Sequence, residues 1–209
     1  MTSLRTFDIV VCTLLADGSS DRVLLPILQW LMDQHCHAAT ELNFAEYLPS
    51  EPATLTERIS AALDYYPCHL LFVHRDAEGD DPALRQAQID AAWAGCNPAV
   101  QLVSVIPVRM TEAWLLVDEV AIRGAAGNPN GVAALDLPKP GKLAQHKGPK
   151  SALFDALRTA SGRSGARLKD FHPESRRHRV TELMATFAPL RSLPSFERLE
   201  AQLQKVFQR

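Results

Sequence analysis

Apolar and polar positions follow two rhythms along this chain. Residues 7–15 (FDIVVCTLL), 68–74 (CHLLFVH) and 101–108 (QLVSVIPV) are short, nearly unbroken apolar runs. Runs of that length, rich in β-branched residues, read as strands, the first two of them buried on both faces. Residues 44–48 read as a shorter second strand. Between the runs the spacing becomes helical. Val23, Leu24, Ile27, Leu28, Leu31 and Met32 make one stripe; Leu55, Ile59, Ala62 and Tyr66 make another; residues 83–94 form a third helix with Pro82 near its start. Thr54 and Glu57 stand in the spacing of a capping box. Pro26 must occupy an early turn of the first helix or kink it. The order β-α-β-α-β-α-β with short connections predicts a mostly parallel four-stranded sheet flanked by helices.

After residue 108 the rhythm changes. Residues 111–117 read as an apolar helical segment extending toward Ile122, and residues 124–148 as an irregular connection rich in Gly, Pro and Asn. Helices are expected at 151–160, 174–187 and 195–207, the last with Phe196, Leu199, Leu203 and Val206 on one face. The chain therefore divides into an α/β core, residues 1–125, and an irregular connection with a helical extension packed on it, residues 126–209.

The composition, 209 residues with 46% hydrophobic and 22% charged, belongs to an ordinary folded domain and argues against disorder or coiled coil. No apolar run approaches ~18 residues, so no transmembrane helix is expected, and the first residues do not read as a signal peptide. Cys12, Cys36, Cys68 and Cys96 are widely spaced with no CxxC pair, which reads as reduced thiols in a cytoplasmic protein. Charge is unevenly placed. Residues 1–120 hold 17 acidic and 6 basic residues; residues 121–209 hold 7 acidic and 16 basic, including all six lysines. An acidic front and a basic back suggest a cation-attracting region beside a polyanion-attracting one, or two packed halves that neutralise each other.

The candidate chemistry follows the strands. Asp17 and Asp21 stand after the first run, and Asp76, Glu78, Asp80 and Asp81 after the third. Ligands of open parallel sheets bind at the carboxyl ends of the strands, where the strand order reverses. A 2-1-3-4 order would bring Asp17 and Asp76 together. Crowded carboxylates repel one another, and a hard divalent cation relieves that repulsion. Mg²⁺ needs only one or two carboxylates plus water and substrate phosphate, and such a site polarises a phosphodiester and activates water. The competing reading of each acid is a solvated surface charge or, for Asp21, a helix cap.

Further along, Glu112 is either a third acid aimed at the crevice or a helix-start carboxylate paired with Arg109. Lys147 and Lys150 near a helix start would meet a phosphate, or are solvated. Arg176 and Arg179, at i and i+3, share a helix face that could contact a phosphate backbone, or form a solvated face. Cys12 and Cys68 read as core, and the tryptophans as packing. No zinc spacing, Walker A, GxGxxG or GxSxG pattern occurs.

A family resemblance is carried by these residues. Asp17-Gly18-Ser19-Ser20-Asp21 after a strand resembles the acidic-Gly-x-[Ser/Thr]-Asp motif of TOPRIM domains, and Asp76-Ala77-Glu78-Gly79-Asp80 resembles their DxD motif. The stretches 109–118, 148–150 and 179–196 resemble a bacterial TOPRIM-like family known as domain of unknown function 4276, related to nucleases of the overcoming-lysogenization-defect type. Two positions depart from the pattern: Asp17 stands where the motif usually has Glu, and Glu78 lengthens the middle acid.

The resemblance implies a TOPRIM-like (Rossmann-like) core and Mg²⁺ (or Mn²⁺) held by Asp17, Asp76, Glu78 and Asp80. Glu112 and Lys150 would join Asp17 and Asp76 in catalysis, and Lys147, Arg176 and Arg179 would contact nucleic acid. It implies Mg-dependent phosphodiester hydrolysis on DNA or RNA, with an ATPase as partner in a phage-defence setting. The alternative is a non-catalytic TOPRIM-like subunit that binds an ATPase or nucleic acid. A phosphoacceptor receiver-like domain, with Lys139-Pro140 as its lysine motif, is a third reading.

Overall fold

A computed structural model describes residues 4–48, 54–96 and 100–208 of the chain. Four strands, β1 (Ile9–Leu15), β2 (Ala39–Phe44), β3 (Leu70–His74) and β4 (Gln101–Val105), form one sheet in the order β2-β1-β3-β4. All neighbours are parallel, with Cys12 opposite Leu42 on one side and Leu70 on the other. This is the expected 2-1-3-4 order in a doubly wound, Rossmann-like α/β fold.

The two inner strands show why they sit inside. Every residue of β3 is buried, and its side chains alternate between the sheet's faces. Leu70 and Phe72 join Val10, Cys12, Leu14, Val103 and Val105 in one core, whereas Leu71 and Val73 join Leu15 in another. The smaller core is closed by α2 (Leu55–Tyr65) and α3 (Pro82–Cys96) through Ile59, Ala62, Ile89 and Ala92. The larger is closed by α1 (Leu24–His35) and by the helices that follow β4.

Local chemistry sets the helix ends. The Thr54 hydroxyl accepts from the Glu57 amide at 3.2 Å and the Glu57 carboxylate accepts from the Thr54 amide at 2.9 Å, the reciprocal cap expected for α2. A 3₁₀ turn, Ser19–Val23, precedes α1, so Pro26 falls in the first turn of the helix, where its missing N–H has no intrahelical role.

Three expected boundaries are corrected. β2 lies at 39–44 rather than 44–48. It is an edge strand of mixed exposure whose polar residues Thr40, Glu41 and Asn43 face solvent or half-buried positions, so it lacks the apolar run that marks an inner strand. The segment after β4 is two helices, α4 (Glu112–Leu115) and α5 (Glu119–Ala125), because the Asp118 carboxylate accepts from the Ala121 amide at 2.9 Å and starts a new helix. The expected helix at 174–187 is a 3₁₀ turn, Pro173–Arg176, followed by α8 (Arg177–Leu183), which ends where Met184 turns extended. A short α7 (Gly165–Lys169) precedes them and was not legible as a helix.

The two parts of the chain share one core. Trp114 on α4 is 1% exposed, donates its Nε1–H to the Ser195 hydroxyl at 3.2 Å and meets Phe196 edge-on at 5.5 Å. Those residues begin α9 (Pro194–Gln208), whose expected face, Phe196, Leu199, Leu203 and Val206, is buried. α9 also covers the outer edge of the sheet, where the Ser104 amide donates to Gln202 at 3.2 Å. α6 (Pro149–Ala160) completes the layer. Among the described residues no helix is long and apolar enough to cross a membrane.

Candidate functional site: a carboxylate crevice where the strand order reverses

β1 and β3 lie side by side, and their helices leave to opposite faces, so the loops after these strands flank a crevice. The loop after β3 is zipped to the loop after β4. The amides of Arg75, Ala77, Glu78 and Gly79 donate to the carbonyls of Val105, Pro107, Arg109 and Val108 at 3.0–3.1 Å. Gly79 adopts φ +95°, and a Cβ there would stand 2.8 Å from Arg109 Nη1, so only glycine lets the Arg109 guanidinium lie across the loop.

His74, the last residue of β3, is buried in the floor of the crevice. Its Nδ1 lies 3.0 Å from the Val105 carbonyl, which fixes the neutral tautomer with the proton on Nδ1. Nε2 then faces three oxygens: the Thr111 hydroxyl at 3.5 Å, Asp76 Oδ1 at 3.7 Å and Asp21 Oδ1 at 3.9 Å. Burial holds the imidazole below its ordinary range, against the pull of Asp21. The floor therefore carries no positive charge.

Asp76 is half-buried beside it and accepts from the Thr111 hydroxyl at 3.4 Å. Its carboxyl is pushed up to about 7, first by burial, then by Asp21 and Glu112, with Asp17 adding and Thr111 opposing. Asp21 is half-buried in the 3₁₀ turn and accepts from the Gly18 amide at 3.1 Å and the Ser20 hydroxyl at 3.4 Å.

The other sequence candidates take different places. Asp17 is exposed and neutralised by Arg58 at 2.6 Å and Arg75 at 3.4 Å. Glu78 sits at φ +55°, exposed, with its carboxylate 3.4 Å from Arg85; Asp80 is exposed in the same loop. Glu112 is buried, and its partner is Arg177 at 2.5 Å rather than Arg109. Lys147 and Lys150 are exposed around the start of α6, with the Lys150 ammonium 6.0 Å from the Phe154 ring. Arg176 and Arg179 take different partners. Arg176 precedes α8 and stacks 5.7 Å from Phe171, while Arg179 on α8 pairs with Glu182 at 2.9 Å.

The structure thus brings Asp21, Asp76 and His74 together and places the charges of Glu112 and Asp17 within range of Asp76. Among the described residues no group of three or more His, Cys, Asp or Glu side chains is arranged to hold a metal ion. His74 and Arg177 were not singled out from the sequence. His74 carries a signal, a ring with hydrogen-bonding capacity ending an otherwise apolar strand. Arg177 lies in a basic run with nothing to distinguish it from its neighbours.

The fold and crevice define a Rossmann-like α/β chain with acidic residues at its strand-order reversal. No family model, curated protein or solved structure matches the chain.

Proposed function

We propose that the chain is a divalent-metal-dependent phosphodiesterase acting on nucleic acid, built on a TOPRIM-like core. The observation that carries this reading is Asp76, a half-buried carboxyl held up to about 7 by burial and by the charges of Asp21, Glu112 and Asp17. Such a group marks a place where positive charge is missing. Asp21 and Asp76 would hold the cation, and two carboxylates completed by water and substrate phosphate suit Mg²⁺ or Mn²⁺. A bound cation supplies Lewis acidity to a phosphoryl oxygen and lowers the pKa of water.

The remaining residues shape that site. Gly18 and Ser20 orient Asp21, and Thr111 orients Asp76. Neutral His74 turns a lone pair toward both carboxylates and leaves their charge uncompensated. Arg58 and Arg75, gathered at Asp17, would offer positive charge to an incoming phosphate. The ATPase partner and defence role rest on the family resemblance alone. The described cysteines are free thiols, which supports a cytoplasmic setting.

One observation favours a second reading, a non-catalytic subunit that binds nucleic acid or an ATPase: no three-ligand group is assembled among the described residues. Incubation of the chain with end-labelled single- and double-stranded DNA and RNA in Mn²⁺ separates the two. The phosphodiesterase reading expects cleavage that chelator stops and that Asp76→Asn abolishes. Binding of these substrates without cleavage of any of them would select the subunit reading.

A further inference from the structure

Phe171, between α7 and the 3₁₀ turn 173–176, is 4% exposed. The guanidinium carbons of Arg163 and Arg176 lie 5.2 and 5.7 Å from its ring centre. Beside this stack opens a groove of about 500 Å³ whose lining includes Arg158, Lys169, Phe171, His172 and Glu174.

Partnering divides the charges around it. Arg158 is tied to Asp155 at 2.9 Å, and His172 faces Glu174 at 3.5 Å. Arg163, Arg167, Lys169 and Arg176 have no carboxylate partner among the described residues. Arg176 Nε is buried without a hydrogen-bond partner among the described residues. A guanidinium held over a ring keeps edge N–H groups for bidentate acceptors such as phosphate. The Phe171 ring is already covered by these cations, so it offers no platform to a base. The groove is therefore suited to a phosphate backbone read without regard to sequence.

Its position gives it a substrate. Arg177, next in sequence to Arg176, reaches Glu112, whose charge acts on Asp76. A single segment thus carries one arginine toward the groove and the next toward the crevice. We propose that the groove lined by Lys169 and Phe171, with Arg163 and Arg176 beside it at the Phe171 ring, holds the backbone of a single nucleic-acid strand that continues to the carboxylate crevice. The choice of a nucleic acid over other polyanions rests on the phosphodiesterase reading.

The test is fluorescence anisotropy of a labelled oligothymidylate with the full chain, in chelator, over a range of salt. The double variant Arg163→Gln/Lys169→Gln changes two exposed side chains and is expected to keep the wild-type melting temperature. It should lose at least about tenfold in affinity and flatten the log–log salt slope by about 1–1.5, the loss of two single-strand phosphate contacts. The charge-preserving pair Arg163→Lys/Lys169→Arg should retain binding. An unchanged affinity in the double Gln variant, or no salt-dependent binding by the wild type, overturns the groove. The two readings fail separately. Groove-dependent binding without metal-dependent cleavage would refute the phosphodiesterase and keep the groove, whereas cleavage by a double Gln variant that binds normally would refute the groove and keep the phosphodiesterase.

Discussion

At Asp76 burial and like charge act in the same direction. The folded carboxyl titrates at about 7 against an ordinary value of 3.8. Between those values the folded chain keeps a proton that the unfolded chain has released. Stability from this residue therefore falls as pH rises through that window and is level above it. Asp76→Asn keeps the shape and removes the charge. Its melting temperature should exceed that of the wild type by several degrees at pH 8 and match it near pH 4, the two curves diverging between. Differential scanning fluorimetry across pH checks this, and parallel curves would show that the carboxyl is not perturbed. Asp76 was legible as a candidate because several acids follow closely on the apolar run Leu70–Val73. Which of Asp17 and Asp21 turns inward was not. That depends on the 3₁₀ turn at 19–23, which points Asp21 at His74 and leaves Asp17 to Arg58 and Arg75.

Among the elements, periodicity located the buried ones and missed those defined by polar contacts. β1, β3 and α9 were legible because burial on two faces or one stripe leaves an apolar signature. β2 is an edge strand, and the break between α4 and α5 is set by a single Asp118 cap, so neither has one. The joint between α4 and α8 belongs with them. Glu112 and Arg177 are 5% and 15% exposed at their side chains and lie 65 positions apart. Removing one partner leaves the other charge buried and unpaired, which costs about 3–5 kcal/mol. Glu112→Gln is expected to lower stability in urea denaturation by that order. The double variant Glu112→Leu/Arg177→Met, which removes both charges, should recover most of the loss. Equal destabilisation by the single and double variants would show that the pair's charge is not what holds the helices together.

At the scale of the whole molecule, the division into residues 1–125 and 126–209 describes charge better than it describes folding. The larger core runs from Leu4 to Phe207, and Trp114 on α4 is locked against Ser195 and Phe196 at the start of α9. The acidic part supplies the crevice. The basic part supplies the half-buried cation of Arg177 and, on its surface, the cations around Phe171 that lack a carboxylate partner among the described residues. The charge asymmetry seen in the sequence is thus only partly cancelled inside the fold, by the Glu112–Arg177 pair between the two parts.

The central claim is that the crevice between β1 and β3 binds a divalent cation through Asp21 and Asp76. Isothermal titration of Mn²⁺ into the wild-type chain and into Asp21→Ala, Asp76→Ala and Asp17→Ala tests it directly. One saturable site is expected in the wild type. It should be lost in Asp21→Ala and Asp76→Ala and kept in Asp17→Ala, whose carboxylate is already engaged by two arginines. No saturable binding by the wild type, or a site that survives removal of both Asp21 and Asp76, would contradict the account.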